Sequence, residues 1–254
     1  MDGDKRMSIN IGRSLRWYNS YEKEIEFCKL NKVDFMQIWF RKGKLLIDNI
    51  DEPREIYLKN HNFPLIIHAV FEMDEYDVYD DKLIELLKYF GHTEVIIHPI
   101  SPLSNLINDK TIYDLAKNIE RINIKFKNNN IKLFIENNSR LDKINYTPAD
   151  LKIFFASNPD TELLLDIAHI DSYEHLQNII KVKYPKMLHI SDKHFSVEHE
   201  HLPVGMGELD FDLIFTKYLN DFYGDIIFEI PEEDAVIIDS IERIRKIIYR
   251  RLLW

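Results

Sequence analysis

Leu133-Phe134-Ile135-Glu136 is an apolar run of strand length that stops at a carboxylate. The same shape recurs as Leu65-Ile66-Ile67-His68, Val95-Ile96-Ile97-His98, Leu163-Leu164-Leu165-Asp166, Met187-Leu188-His189 and Ile226-Ile227-Phe228-Glu229. Runs that are apolar at consecutive positions, rather than alternating, suit strands covered on both faces, the pattern of a parallel sheet. An apolar strand has no reason of its own to end in a metal-ligating side chain. One such ending is chance; the repetition points to one shared site.

Working outward, strand-like runs fall at Ser8–Ile11, Asp34–Phe40, Pro64–Phe71, Glu94–Pro99, Lys132–Asn137, Glu162–Ile170, Lys186–Ser191 and Asp225–Ile230. Helical patterns fill the gaps, at Tyr21–Asn31, Glu55–Asn60, Asp81–Phe90, Thr111–Asn128, Pro148–Ala156, Tyr173–Val182 and Phe211–Leu219, and Ile237–Leu253 closes the series. Thr147-Pro148-Ala149-Asp150 offers a cap, a first-turn proline and an acid, and the closing helix repeats apolar residues at threes and fours. Strand and helix in strict alternation predict parallel strands joined by crossovers, and this number of strands closes a barrel. The 254 residues suit a single-domain (β/α)8 TIM barrel spanning 1–254, with Met1–Arg6 as a flexible tail. Active sites of such barrels sit at the C-terminal rim of the strands, where the ligand-type residues gather.

Bulk properties narrow the setting. No run approaches the ~20 apolar residues of a membrane span, and the N-terminus lacks a secretory h-region, so a cytoplasmic location without membrane association is expected. The single cysteine, Cys28, fits a reducing compartment and reads as a buried apolar residue. A net charge of −10 argues against a surface that grips nucleic acid throughout.

Three groups of donors stand out. Glu136, Asp166, His189 and Glu229 suit a divalent cation, Mn, Mg, Co or Zn. Unpaired near a barrel interior, three carboxylates would repel one another, and a metal would relieve that repulsion. His68 and His98, on neighbouring strands, could share a second ion with Glu136, whose two oxygens can bridge; equally they could orient substrate. His169, His199 and His201 form an imidazole-rich third group that favours zinc. His194, His61, His92 and His175 receive no role. Arg13, Arg16, Arg41, Lys42, Lys44, Arg140 and Lys193 lie near the rim and include candidates for a phosphate clamp, though surface charge explains most of them. Trp17 and Trp39 could wall a sugar site or pack in the core.

Ile135-Glu136-Asn137, Leu165-Asp166-Ile167-Ala168-His169, the segment from Leu188-His189 through His199-Glu200-His201-Leu202-Pro203-Val204-Gly205-Met206-Gly207, and Phe228-Glu229-Ile230-Pro231 together resemble the xylose-isomerase-like TIM-barrel superfamily of sugar isomerases, sugar epimerases and endonuclease IV. The epimerase resemblance implies one metal on Glu136, Asp166, His189 and Glu229, with Glu136 and Glu229 moving a proton beside a carbonyl polarised by the metal. The endonuclease IV resemblance implies three zincs on His68, His98, Glu136, Asp166, His169, His189, His199, His201 and Glu229. His199 departs from it, standing where that family has Asp. Ile100 after His98-Pro99, and the acidic stretch Ala69–Glu75 after His68, also depart from the endonuclease.

The expectation is therefore a divalent-metal-dependent isomerase or epimerase of a small sugar or sugar phosphate. The alternative is a zinc phosphodiesterase acting on abasic DNA, with nucleic acid a partner only in that case. A barrel keeping a metal purely for stability fits less well, since structural sites are usually closed and this one gathers at an open rim.

Overall fold

A computed structural model describes residues 9–16, 18–47, 53–101 and 107–252. The expected tail Met1–Arg6 and Trp17 lie outside them. The strands are β1 (Asn10–Ser14), β2 (Phe35–Arg41), β3 (Lys44–Leu45), β4 (Leu65–Glu72), β5 (Glu94–Ile100), β6 (Lys132–Glu136), β7 (Glu162–Asp166), β8 (Met187–Ile190) and β9 (Asp225–Phe228). The helices are α1 (Tyr21–Leu30), α2 (Arg54–His61), α3 (Tyr76–Phe90), α4 (Asp109–Asn128), α5 (Pro148–Ser157), α6 (Tyr173–Val182), α7 (Phe211–Leu213, continued by a π turn at Ile214–Tyr218) and α8 (Asp234–Leu252).

All strands but β3 pair in parallel, and the sheet closes because β1 pairs with both β2 and β9. The result is an eight-stranded parallel barrel wrapped by helices, a TIM barrel. β3 was not anticipated; it folds back antiparallel on the end of β2, Phe40 opposite Leu45. The capping box at Thr147 forms as expected, Thr147 Oγ1 accepting from the Asp150 amide and the Asp150 carboxylate accepting from the Thr147 amide. α8 buries Ile237, Ile241, Ile244 and Ile248, the threes-and-fours stripe of its sequence.

Several boundaries differ from the sequence reading: β1 runs on to Ser14, and α3 begins at Tyr76 rather than Asp81. The expected strand Glu162–Ile170 stops at Asp166, because Asp166 Oδ1 accepts from the Ala168 amide at 2.7 Å and turns the chain into a short 3₁₀ helix at Ile167–His169. β4 keeps close to the expected Pro64–Phe71, with His68 inside it, since Val70 and Phe71 pair with His98 and Pro99 of β5.

Side chains alternate across each strand, and the inward ones stack in layers. Ile66, Ile96, Phe134, Leu164, Met187 and Ile227, with Phe35 against them, form a cluster apart from the larger core between barrel and helices. Gly12 completes this layer by leaving space: a Cβ there would stand 2.4 Å from the Phe35 ring. Two residues further along the same strands come Gln37, His68, His98, Glu136, Asp166, His189 and Glu229. One strand period above an apolar plug, the barrel becomes polar.

Candidate metal centre

His68, Glu136, Asp166 and His189 are fully buried, and His169 and Glu229 nearly so. Their donor atoms converge in three groups, each with its atoms within 4.8 Å of one another: Glu136/Asp166/His189/Glu229, His68/His98/Glu136 and His169/His199/His201. Glu136 belongs to two of them. Its Oε2 lies 2.7 Å from His68 Nε2 and 3.0 Å from His98 Nδ1, and its Oε1 lies 3.2 Å from His189 Nδ1. His189 Nδ1 is also 3.7 Å from Asp166 Oδ2 and 3.6 Å from Glu229 Oε1. The third group is a triangle of rings, with centroids 5.1, 4.8 and 5.6 Å apart.

Neighbouring side chains decide which atoms face the centre. His189 Nε2 lies 2.8 Å from Gln37 Oε1, while the Gln37 amide donates to Glu229 Oε1. An amide oxygen only accepts, so Nε2 carries the hydrogen and Nδ1 is turned toward the carboxylates. His169 Nδ1 likewise donates to the Asn137 carbonyl at 2.8 Å, leaving Nε2 facing Asp166 Oδ2 at 3.5 Å. Neither of these facing atoms has a hydrogen-bond partner among the described residues. Buried polar atoms are rarely left unsatisfied, and two aimed at each other call for a proton or a metal ion between them. The donor set fits a divalent metal.

The electrostatics agree. Burial alone would push the Glu136 carboxyl up, but the imidazoles of His98, His189 and His68 outweigh it and hold it well below the ordinary range. Asp166 is depressed too, His169 and His189 overcoming its burial. Glu229 moves the other way, pushed up to about 7 by burial and by the Glu136 and Asp166 carboxylates, against the pull of His189. Burial disfavours the charged form of His189, yet Glu229 and Glu136 raise it well above its usual value. The same carboxylates that favour a proton on His189 would favour a divalent cation in its place.

Above the donors the mouth divides into two lobes that meet at His98, His169 and His199. One, about 440 Å³, lies beside Trp39 and includes Glu229 in its wall. The other, about 370 Å³, is bordered by Arg41, Glu72, Ser139 and Asp142. Trp39 is fixed by its indole N–H, which donates to Ser14 Oγ at 3.0 Å, and its ring stands 4.4 Å from that of His68.

Most of the rim cations are engaged elsewhere. Arg13 points outward from β1, buried 3.1 Å from Glu24 of α1 and packed over Phe27. Arg140 pairs with Asp171 and donates to the Phe195 carbonyl, and Lys193 is buried against the Ile170 carbonyl. His61 pairs with Glu22, His175 sits beside Asp171, and His194 with Glu200, all outside the three donor groups.

Sequence reasoning passed over Gln37, Asn137, Ser139 and Ser191. Gln37 left a trace as the one polar residue in the run Phe35–Phe40, and Asn137 and Ser191 stood inside the resemblance segments without a role. Ser139 Oγ lies 3.3 Å from His199 Nδ1, and Ser191 Oγ lies 2.9 Å from His201 Nδ1. Asp192 shapes the loop that carries these histidines, accepting from the amides of Lys193, Gly205 and Leu209. Gly207 lies so close that a Cβ would stand 2.4 Å from both Asp192 Oδ1 and the Lys193 carbonyl oxygen.

The sequence pattern of the xylose isomerase-like TIM barrel family matches residues 33–247. The chain belongs to that family. Solved structures of the same fold include a D-tagatose 3-epimerase-like protein, 18% identical with TM-score 0.75, covering 95% of this chain and 98% of that one. An IolI protein with a bound zinc atom is 14% identical with TM-score 0.72, covering 95% and 97%. A family 2 AP endonuclease from Brucella melitensis is 12% identical with TM-score 0.66, covering 94% and 98%. No curated protein sequence matches. Among the described residues of this xylose isomerase-like barrel, no helix is long and apolar enough to cross a membrane.

Proposed function

We propose that this protein is a divalent-metal-dependent isomerase or epimerase of a small sugar. The observation that carries the reading is the placement of Glu229, a ligand-type carboxylate that also forms the wall of a cavity of about 440 Å³ beside a fixed indole. Glu136, Asp166, His189 and Glu229 would hold the metal, which when bound polarises a substrate carbonyl and offsets the charge that develops on its oxygen. Glu229 would take the proton from the carbon beside the carbonyl; its return to the former carbonyl carbon gives the isomer, and delivery of a proton by Glu136 to the opposite face of the first carbon gives the epimer. Gln37, donating to Glu229 Oε1, orients that carboxylate. Glu136, the second carboxylate of the acid/base pair, is fully buried with its oxygens against imidazoles, which hold it in place as a ligand as well. The names of the D-tagatose 3-epimerase-like protein and an L-ribulose 3-epimerase among the structural relatives support the sugar assignment.

The test is exchange of deuterium from solvent into the carbon beside the carbonyl, across a panel of ketoses and aldoses. Glu229→Gln should abolish exchange while keeping the metal. Exchange at the wild-type rate in that variant would remove Glu229 from the chemistry.

A second reading, a zinc phosphodiesterase, is favoured by one observation: the three donor groups are contiguous, two sharing Glu136 and the all-imidazole trio reaching Asp166 through His169. It requires three zincs per chain and incision of duplex DNA at an abasic site. One metal per chain, with no incision, excludes it.

A further inference from the structure

We infer that the lobe beside Trp39 receives an uncharged, C–H-rich part of the substrate, so that the sugar is unphosphorylated; this rests on the isomerase or epimerase reading and makes its substrate class definite. The lobe is walled by Leu15, Tyr18, Trp39, Leu46, Ile230 and Pro231, with the imidazoles and Glu229 at its metal end. An indole held by a hydrogen bond at its N–H and by the adjoining His68 ring is a ready platform for the C–H face of a sugar ring, at little cost in entropy because it is already ordered. The Trp39 ring adjoins that of His68, so a ring stacked there would lie directly beside the donors.

A phosphate needs cations or free amide donors aimed at it. Arg16 is the one lysine or arginine among the described residues of this lobe, and its guanidinium is spent. Nε and Nη2 donate to Glu24 Oε1 at 2.9 and 2.7 Å, Nη2 also reaches Asp234 at 2.6 Å, and Nη1 donates to the Glu232 carbonyl at 3.1 Å. Glu24 is fully buried, so pulling Arg16 away would leave a buried carboxylate with less of its compensation. A phosphate in the lobe would also face Glu229. The other lobe is no more welcoming, since Arg41 shares it with the carboxylates of Glu72 and Asp142. Among the described residues, and apart from the metal itself, neither lobe gathers the cations that a group of roughly −1.5 to −2 charges requires.

The experiment measures binding by the metal-containing protein of free ketohexoses and ketopentoses and of the same sugars carrying a terminal phosphate, using titration calorimetry at physiological salt. Inorganic phosphate serves as the control for direct capture by the metal. The expected result is that a free sugar binds at least tenfold more tightly than its phosphate ester. Trp39→Ala should weaken the free sugar tenfold or more without changing metal content. A phosphate ester that binds more tightly than both the free sugar and inorganic phosphate overturns the inference. So does a Trp39→Ala variant with unchanged affinity. The same samples keep the two ideas apart. Free sugar that binds without deuterium exchange sinks the isomerase or epimerase reading alone, whereas exchange on the phosphate ester in preference sinks only this inference. Binding of neither sinks both.

Discussion

His169 Nδ1 lies 2.8 Å from the carbonyl oxygen of Asn137, and that one contact turns the other ring nitrogen toward Asp166. Since the carbonyl only accepts, Nδ1 carries a hydrogen, and Nε2 and the free oxygen of Asp166 face each other at 3.5 Å in a buried site. The arrangement is organised for a cation before any cation arrives.

Metal removal should therefore cost stability. A divalent ion that binds the folded chain alone contributes about 4 kcal/mol when present at a thousand times its dissociation constant. Chelation followed by dialysis should lower the melting temperature, and back-titration with zinc or manganese should restore it. Identical melting curves with and without metal would show that the donors hold none.

Gln37 connects His189 to Glu229 from beneath. Gln37→Leu keeps much of the volume but leaves both partners short of a buried hydrogen bond, at a cost of about 1–3 kcal/mol. Loss of such an orienting contact should also weaken metal affinity by roughly 10–100-fold. Competition with a fluorescent chelator reads the affinity; an unchanged value would mean Gln37 does not orient the ligands.

His92 gives a pH dependence away from the metal centre. It precedes β5, stacks on Phe90 with ring centroids 5.2 Å apart, and burial pushes its imidazolium down to about 4. In the unfolded chain a histidine titrates near ~6.5, so between these values the unfolded state binds the extra proton and stability falls as pH drops. From pH 7 to pH 5 this single group should cost about 2 kcal/mol, somewhat less for its partial exposure. His92→Phe should remove that share of the acid sensitivity. Urea midpoints of both proteins at the two pH values check it, and parallel losses would refute the assignment.

Asp192 satisfies three backbone amides in the loop that brings up His199 and His201. Asp192→Ala should destabilise the chain by about 3 kcal/mol, since each stranded amide costs on the order of 1 kcal/mol or more. Displacement of the loop should also loosen the imidazole trio, seen as altered histidine shifts in a zinc-titrated NMR spectrum. A variant with wild-type stability would mean water replaces the carboxylate without penalty.

The strand order, the barrel and the three donor groups were legible because they rest on local periodicity: an apolar run followed by a ligand can be read one strand at a time. The end of β7 was not, because it depends on where Asp166 caps a turn. Which atoms face the centre was decided only in three dimensions. Gln37 and Glu229 stand 192 residues apart, and nothing local in either segment announces the other. The same holds for Arg16, a plausible phosphate clamp in sequence that tertiary packing commits to Glu24 and Asp234. Sequence by itself determined which residue types reach the mouth of the barrel. Closure of the sheet decided their partners, because hydrogen bonds and ion pairs form between groups brought within about 3–4 Å, a condition that chain order alone does not set.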